Sequence, residues 1–427
     1  MIIEFTTENY RSIHQEAKLS LVAGKGKELY TENVTEPKLA KGVKKLPILR
    51  SAVLYGPNAG GKSNFIKALA AMQEIVLYSS QDQEILNSVI IPFKLSQSTI
   101  DKPSVFEVII LINGIRYQYG FSATSEKIYE EWLFAFPKGR PQVWFERSSN
   151  LDTEDDIHFG DKLSGNKEVW RKVTRKNALL LSTAVQLNSE QLKPIFDWFK
   201  SSLKIIGTGL YPHKGRTSVE WCKDERKGKI LEFLQAADFA ISDINVSEED
   251  LSPDIFESEL LPSSLKAYLK NKDAKEIKLS MSHTSDSGKI VKLDIAEESD
   301  GTNKMFNLAG FWLNSLSEGH VLFIDELHAH LHPLLVKFLV QLFHNSKTNK
   351  HLAQLIFSTH ETSILSQDIF RRDQIWFCER SESQSTKLYS LTEFSPRKGV
   401  ENLERSYLSG RYGALPYLRI VNENFKG

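Results

Sequence analysis

Cysteine is scarce in this sequence: Cys222 and Cys378 are the only two among 427 residues. Two thiols are too few for a disulfide framework or a four-cysteine zinc site, and they point to a reducing, cytoplasmic setting. An excess of charge is lacking as well, since 54 Lys+Arg balance 54 Asp+Glu, so no chain-wide field draws in polyanions. No apolar run approaches the roughly 18 residues of a membrane span. The opening MIIEFTTENYRS alternates and carries Glu4, unlike a secretory leader. No membrane partner is expected. Fixed-period repeats and sustained heptads are absent, which argues against a solenoid or a long coiled-coil arm. What remains is a globular composition, 41% hydrophobic and 25% charged. It can bury substantial cores in two or three units, or in one fold with an insertion.

The first 60 residues read as strands, with Ile2, Ile3 and Phe5 in one and the apolar run from Leu46 to Tyr55 in another. A glycine-rich turn follows. Beyond it Phe65, Ile66, Leu69, Met72 and Ile75 recur at helical spacing over Asn64 to Leu77. From Ser104 to Ser148 the period changes to two, and Asn113-Gly114 between β-forming runs marks a hairpin within an antiparallel meander. The acidic stretch from Asn150 to Asp156 reads as a boundary, followed by a mainly helical stretch from about Lys167 to Leu269. Glu276 to His283 and Lys289 to Ile295 suggest a second hairpin around Gly288. The expected division is therefore 1–150, an inserted helical subdomain over 151–275, and a C-terminal lobe over 276–427.

Three segments carry chemistry. Gly56-Pro57-Asn58-Ala59-Gly60-Gly61-Lys62-Ser63 fits G-x-x-x-x-G-K-[ST] between a strand and a helix. Glycines let successive N–H groups face phosphate oxygens, the helix N-terminus adds positive potential, Lys62 reaches the β- and γ-phosphates, and Ser63 can ligate Mg²⁺. The expected nucleotide contacts are Gly56, Asn58, Gly60, Gly61, Lys62, Ser63 and Asn64. Val321-Leu322-Phe323-Ile324-Asp325-Glu326 reads as a buried parallel strand ending in acid. There Asp325 would hold the metal and Glu326 would take a proton from the attacking water. A third apolar strand, from Gln354, ends in Ser358-Thr359-His360, and a neutral His360 there could report on the γ-phosphate.

GPNAGGKS, VLFIDE and FSTH in this order, with ENYRSI at the start, resemble the ABC/SMC-type ATPases. Lys62 and Asp325 lie 263 positions apart, which implies a large insertion and the soluble branch of that group. That branch contains SMC proteins, RecF-like repair ATPases and the phage-defence ATPases of the OLD, RloA/AbiL, Septu and PARIS kinds. The resemblance implies an α/β P-loop ATPase head with an antiparallel β subdomain and an inserted helical one. It also implies ATP with Mg²⁺, catalytic roles for Lys62, Glu326 and His360, self-association, and control of a separately encoded nuclease or toxin in anti-phage defence. Nucleic acid or a phage protein would be further partners.

The group's signature motif has its counterpart at Glu298-Ser299-Asp300-Gly301-Thr302, where Ser299 and Gly301 would meet a phosphate held by another subunit. A plain helix cap is the other reading of Ser299. His328 and His332, four apart, lack a matched third metal ligand, and Pro333 reads as a helix start. Arg171, Lys172, Arg175 and Lys176 would share one face of a helix, a candidate contact for acidic partners. The second functional reading is a RecF/SMC-like DNA-binding repair ATPase. An OLD-type nuclease would need an added domain, for which the 67 residues after His360 are too few. A transporter subunit would not carry the long insertion.

Overall fold

The computed structural model describes residues 1–149, 156–207, 215–251, 275–397 and 399–417. Contacts divide the chain into two units. One comprises 1–211, 315–329 and 336–427, and the other 212–314 and 330–335. The expected boundaries at 151 and 275 move because the helices Lys167–Val173, Leu180–Gln186 and Lys193–Asp197 pack into the first unit. Ser182 donates to the Val76 carbonyl at 2.6 Å and Gln73 donates to Phe199 O at 2.6 Å, so this stretch is sewn to the helix after the glycine-rich turn.

The first unit holds two large sheets among the described residues. In the six-stranded sheet the order is Leu203–Ile206, Val321–Ile324, Gln354–Ser358, Ser51–Tyr55, Ile375–Arg380 and Thr386–Ser390. All its pairings are parallel except the last. Its central strands are buried on both faces, which is why they read as unbroken apolar runs. The expected strand from Leu46 to Tyr55 is interrupted: Ile48–Leu49 pairs with Val34–Thr35, and Ser51 onward joins the parallel sheet. Arg50 marks the break, its N–H bonding Asn33 O and its carbonyl accepting from Leu355 N.

The seven-stranded sheet is antiparallel, built on Ile2–Glu8, Ala17–Ser20 and a meander of Ser104–Ile112, Ile115–Ala123, Ile128–Phe136, Gln142–Ser148 and Asp156–Phe159. Asn113 and Gly114 both take positive φ at its first turn, the conformation that an Asn-Gly pair tolerates best. The helix Lys62–Tyr78 contributes Phe65 to this lobe, with its ring 5.1 Å from Phe5. Burial of Phe65, Leu69, Met72 and Ile75 at or near zero exposure contributes about 2 kcal/mol each. Gln354 ties the two sheets, its Oε1 accepting from Ile2 N at 2.7 Å and its amide donating to Ile2 O and Leu49 O.

In the second unit Asp243–Asp250, Lys275–Thr284 and Ile290–Asp294 form an antiparallel sheet, so the expected hairpin around Gly288 is present. The stretch expected to be helical to Leu269 is therefore interrupted by Leu203–Ile206 and Asp243–Asp250, and 208–214 and 252–274 lie outside the described residues. Helix Arg216–Cys222 meets helix Asp300–Glu318 closely: a Cβ at Gly310 would stand 2.5 Å from Ser218 N. Among the described residues no helix is long and apolar enough to cross a membrane.

Candidate functional site

The turn from Gly56 to Gly61 joins strand Ser51–Tyr55 to helix Lys62–Tyr78, as the pattern requires. Gly61 sits at φ 102° with no side-chain cap, so the first N–H groups of the helix stay available to a ligand. The glycines also serve packing. A Cβ at Gly56 would stand 2.1 Å from the Cys378 carbonyl, and one at Gly61 would stand 1.9 Å from Thr386 Oγ1. The neighbouring strand therefore runs directly against the loop. Thr386 Oγ1 lies 2.8 Å from Ser12 Oγ, which accepts from Asn64 Nδ2 at 2.7 Å, so the early ENYRS segment braces the same turn.

Lys62 is buried and donates to Gly56 O at 2.8 Å and Pro57 O at 3.0 Å. Burial lowers its pKa, while the Asp325 and Glu326 carboxylates oppose that shift. Its ammonium is held inside the curve of its own loop.

Parallel pairing in register sets Ile324 beside Phe357, so the residues that follow each strand emerge together at one edge. Ser358 Oγ donates to Asp325 Oδ1 at 2.5 Å and accepts from Glu326 N at 2.8 Å. Glu326 adopts φ 54°, a left-handed conformation that costs a non-glycine residue about 1 kcal/mol. Such positions collect where the fold re-aims a functional side chain. The His360 ring stands 5.5 Å from that of His328 in an edge-to-face arrangement. Its pKa is pushed down to about 4 by burial first, then by Lys62 and His328, so the imidazole is neutral at pH 7. His360, Pro57 and Asn58 line a cleft of about 1190 Å³, completed by Arg380, Lys387 and Tyr407.

The structure thus brings Gly56, Asn58, Gly60, Gly61, Lys62, Asp325, Glu326 and His360 to one edge of the parallel sheet, with Ser63 and Asn64 opening the helix. Sequence reasoning misses Ser358, Thr386 and Cys378 as parts of this site. Only Ser358 leaves a trace there, as a buried hydroxyl residue at the end of an apolar strand beside the acidic one. His332 Nδ1 accepts from Leu334 N at 3.2 Å, and Pro333 opens helix Pro333–His344.

In the second unit, Ser299 Oγ accepts from Thr302 N at 3.1 Å and caps helix Asp300–Glu318. The helix-cap reading is therefore met, and Gly301 lies in the first turn with its Cα hydrogens toward His330 O. Glu298, next to the cap, bonds His283 at 2.6 Å. The expected shared face of Arg171, Lys172, Arg175 and Lys176 does not form. The helix stops at Val173, and Arg175 turns inward to donate to Ser79 O and Ser80 O.

The donor set fits a nucleotide with its divalent ion: open helix N–H groups, an inward lysine, a half-buried serine, and a carboxylate oriented by Ser358. A family described as "AAA domain, putative AbiEii toxin, Type IV TA system" matches residues 51–366. Solved structures similar to the chain include SMC head domains. One from Thermotoga maritima is 11% identical with a TM-score of 0.41, covering 91% of this chain and 98% of that one. An SmcHead bound to the C-winged helix domain of ScpA is 13% identical with a TM-score of 0.45, covering 92% and 99%. An Smc head with an extended coiled coil, bound to the C-terminal domain of ScpA from Pyrococcus furiosus, is 12% identical with a TM-score of 0.40, covering 92% and 97%. No curated protein matched.

Proposed function

The chain belongs to this AAA-domain family, and on that premise we propose that it binds ATP with Mg²⁺ and hydrolyses it at the sheet edge formed by Lys62, Asp325, Glu326 and His360. The observation that carries the reading is the convergence of a lysine-bearing glycine loop with two successive carboxylates, one fixed by Ser358. Ser63 and Asp325 would hold the metal, which supplies charge neutralisation at the phosphates. Lys62 would exchange its loop carbonyls for phosphate oxygens. The N–H groups of Gly61 to Asn64 would bind the phosphates, with Gly60 shaping the loop through its N–H bond to Pro57 O at 3.0 Å. Glu326 would orient water and accept its proton, and neutral His360 would donate from its ring to the terminal phosphate.

We further propose that the active form is a homo-oligomer in which Ser299 and Gly301 of one copy complete the site of another. Its nucleotide state would control a separately encoded nuclease or toxin, in the manner of phage-defence ATPases, within the cytoplasm. The toxin-related description of the family supports this reading over a RecF-like repair role.

Glu326→Gln and Lys62→Ala test the core of the proposal. The first should retain ATP binding with hydrolysis reduced at least a hundredfold, and the second should weaken binding itself. Equal turnover by wild type and Glu326→Gln would remove Glu326 from the chemistry. For assembly, Gly301→Trp mixed with Glu326→Gln should give rates that depend on mixing ratio. Strictly additive rates would reject a composite site.

A further inference from the structure

The zero net charge of the chain hides an uneven distribution. Antiparallel order brings several connections to one end of the seven-stranded sheet: the Asn113-Gly114 turn, the turn from Pro137 to Pro141, and the chain after Phe159. The loop from Glu36 to Lys45 is held at the same end. Ala40 donates to Gly114 O at 3.2 Å, and a Cβ added at Gly139 would stand 3.8 Å from Val43 Cγ1. Segments 36–45, 113–116, 136–142 and 159–172 together carry eleven Lys and Arg against three carboxylates. Two of the three are engaged already, Glu36 with Lys45 at 2.6 Å and Glu168 with Arg171 at 3.9 Å.

Lys38, Lys41, Lys44, Lys138 and Arg140 are exposed. Two guanidiniums are held over rings at this end, Arg116 at 3.9 Å from the Phe136 centroid and Arg171 at 5.2 Å from that of Phe159. Stacking of this kind fixes the plane of a donor fork. From Ile115–Ala123 to Asp156–Phe159 there are three inter-strand steps of about 4.8 Å, so the cations span roughly 15 Å. Duplex DNA carries a charge about every 1.7 Å of its axis, so such a span faces several phosphates at once.

The surface has little of what a protein partner would need. Among the described residues of 36–45, 113–116, 136–142 and 159–172, the exposed large apolar side chain is Val169 alone, at the margin of the patch. Protein interfaces are organised around an apolar centre, whereas nucleic-acid interfaces are polar and positive. We propose that this end of the antiparallel sheet binds the phosphate backbone of duplex DNA, without reading its sequence. The inference rests on none of the nucleotide-site residues and stands apart from the ATPase reading.

The test uses the full chain, a short fluorescein-labelled DNA duplex, and anisotropy measured across a salt series. Wild type should bind with a steep negative dependence of log affinity on log salt. The variant Lys41→Gln/Lys44→Gln/Lys138→Gln/Arg140→Gln should reduce that slope by about 3 to 4, near 0.9 per lost phosphate contact. Lys44→Gln/Lys138→Gln alone should give about half of the change. Lys94→Gln/Lys102→Gln, at the opposite end of the sheet, should match wild type, and all variants should keep wild-type melting temperature and ATPase rate. Failure of wild type to bind, an unchanged slope in the fourfold variant, or equal competition by polyglutamate at matched charge would each overturn the proposal. The last outcome would assign the surface to an acidic protein.

Discussion

Ser358 Oγ stands 2.5 Å from Asp325 Oδ1 and 2.8 Å from the Glu326 amide, so one hydroxyl orients both carboxylate residues at the sheet edge. It donates to the first and accepts from the backbone of the second. Hydrogen bonds to a charged group contribute roughly 1.5–3 kcal/mol, so Ser358→Ala should loosen Asp325 without touching the phosphate loop. The expected result is roughly a tenfold rise in the Mg²⁺ concentration giving half-maximal ATPase, with metal-free ATP binding unchanged. Ser358→Thr, which keeps the hydroxyl, should restore most of the metal response. An identical Mg²⁺ titration for Ser358→Ala and wild type would show that Asp325 needs no such support.

Gly61 is constrained twice, by φ 102° and by Thr386, whose Oγ1 would stand 1.9 Å from an added Cβ. Gly61→Ala should therefore destabilise the first unit by several kcal/mol, from overpacking plus backbone strain. Combining it with Thr386→Gly removes the collision and leaves the strain. Urea melts of the two single variants and the double should show partial recovery. Full recovery would mean that φ at this position carries no cost, and no recovery would mean that Thr386 is not the obstacle.

The parts of the site legible in sequence are those in which chemistry dictates residue type. A phosphate loop needs its glycines and lysine, and two adjacent carboxylates directly after four apolar residues mark a buried strand that delivers charge to a sheet edge. The meander was legible for a similar reason, because Asn113-Gly114 suits a turn with two positive φ values. Features that depend on distant strands were not. Cys378 and Thr386 lie against Gly56 and Gly61 only because strand Ile375–Arg380 pairs beside Ser51–Tyr55. Leu203–Ile206 is four residues long and follows directly on a helical stretch, so its place at the edge of the parallel sheet left no periodic signal. In sequence Arg175 has the look of a surface cation, whereas in the fold its guanidinium closes the Ser79 and Ser80 carbonyls.

Three histidines give the fold a pH dependence. Burial lowers His344 to about 3, and His320 and His360 to about 4, from an ordinary value of 6.5. In each case the unfolded chain takes up a proton below pH 6.5 that the folded chain refuses until pH 3–4, so stability rises with pH across that window. Each group contributes a slope of up to about 1.4 kcal/mol per pH unit. His344 is the cleanest probe, because it is fully buried, lies away from the nucleotide residues, and has Ser51 Oγ at 2.7 Å. Urea unfolding of His344→Gln at pH 7.5 and pH 5 should show a smaller loss on acidification than wild type. Parallel losses would mean that His344 does not titrate between the two states in this range.

Glu131 joins the antiparallel lobe to helix Leu180–Gln186. Its carboxylate accepts from Leu180 N at 2.6 Å, Leu181 N at 3.0 Å and Tyr119 Oη at 3.1 Å, and lies 3.7 Å from Arg147. Both charged side chains have zero exposure. Burial raises the carboxyl pKa, and Arg147 followed by the two amides opposes the shift. Glu131→Ala should remove the acceptor of two helix-terminal N–H groups and leave Arg147 buried, costing about 3–5 kcal/mol. Arg147 would keep its bonds to Ala178 O and Arg175 O, so the arginine stays fixed and its charge is not relieved. Replacing both residues should cost less than the sum of the single changes, since the double variant holds no unpaired charge. Chemical melts of Glu131→Ala, Arg147→Met and the pair close the cycle. A coupling energy near zero would mean that the carboxylate serves the helix end alone, with Arg147 acting independently on the carbonyls before it.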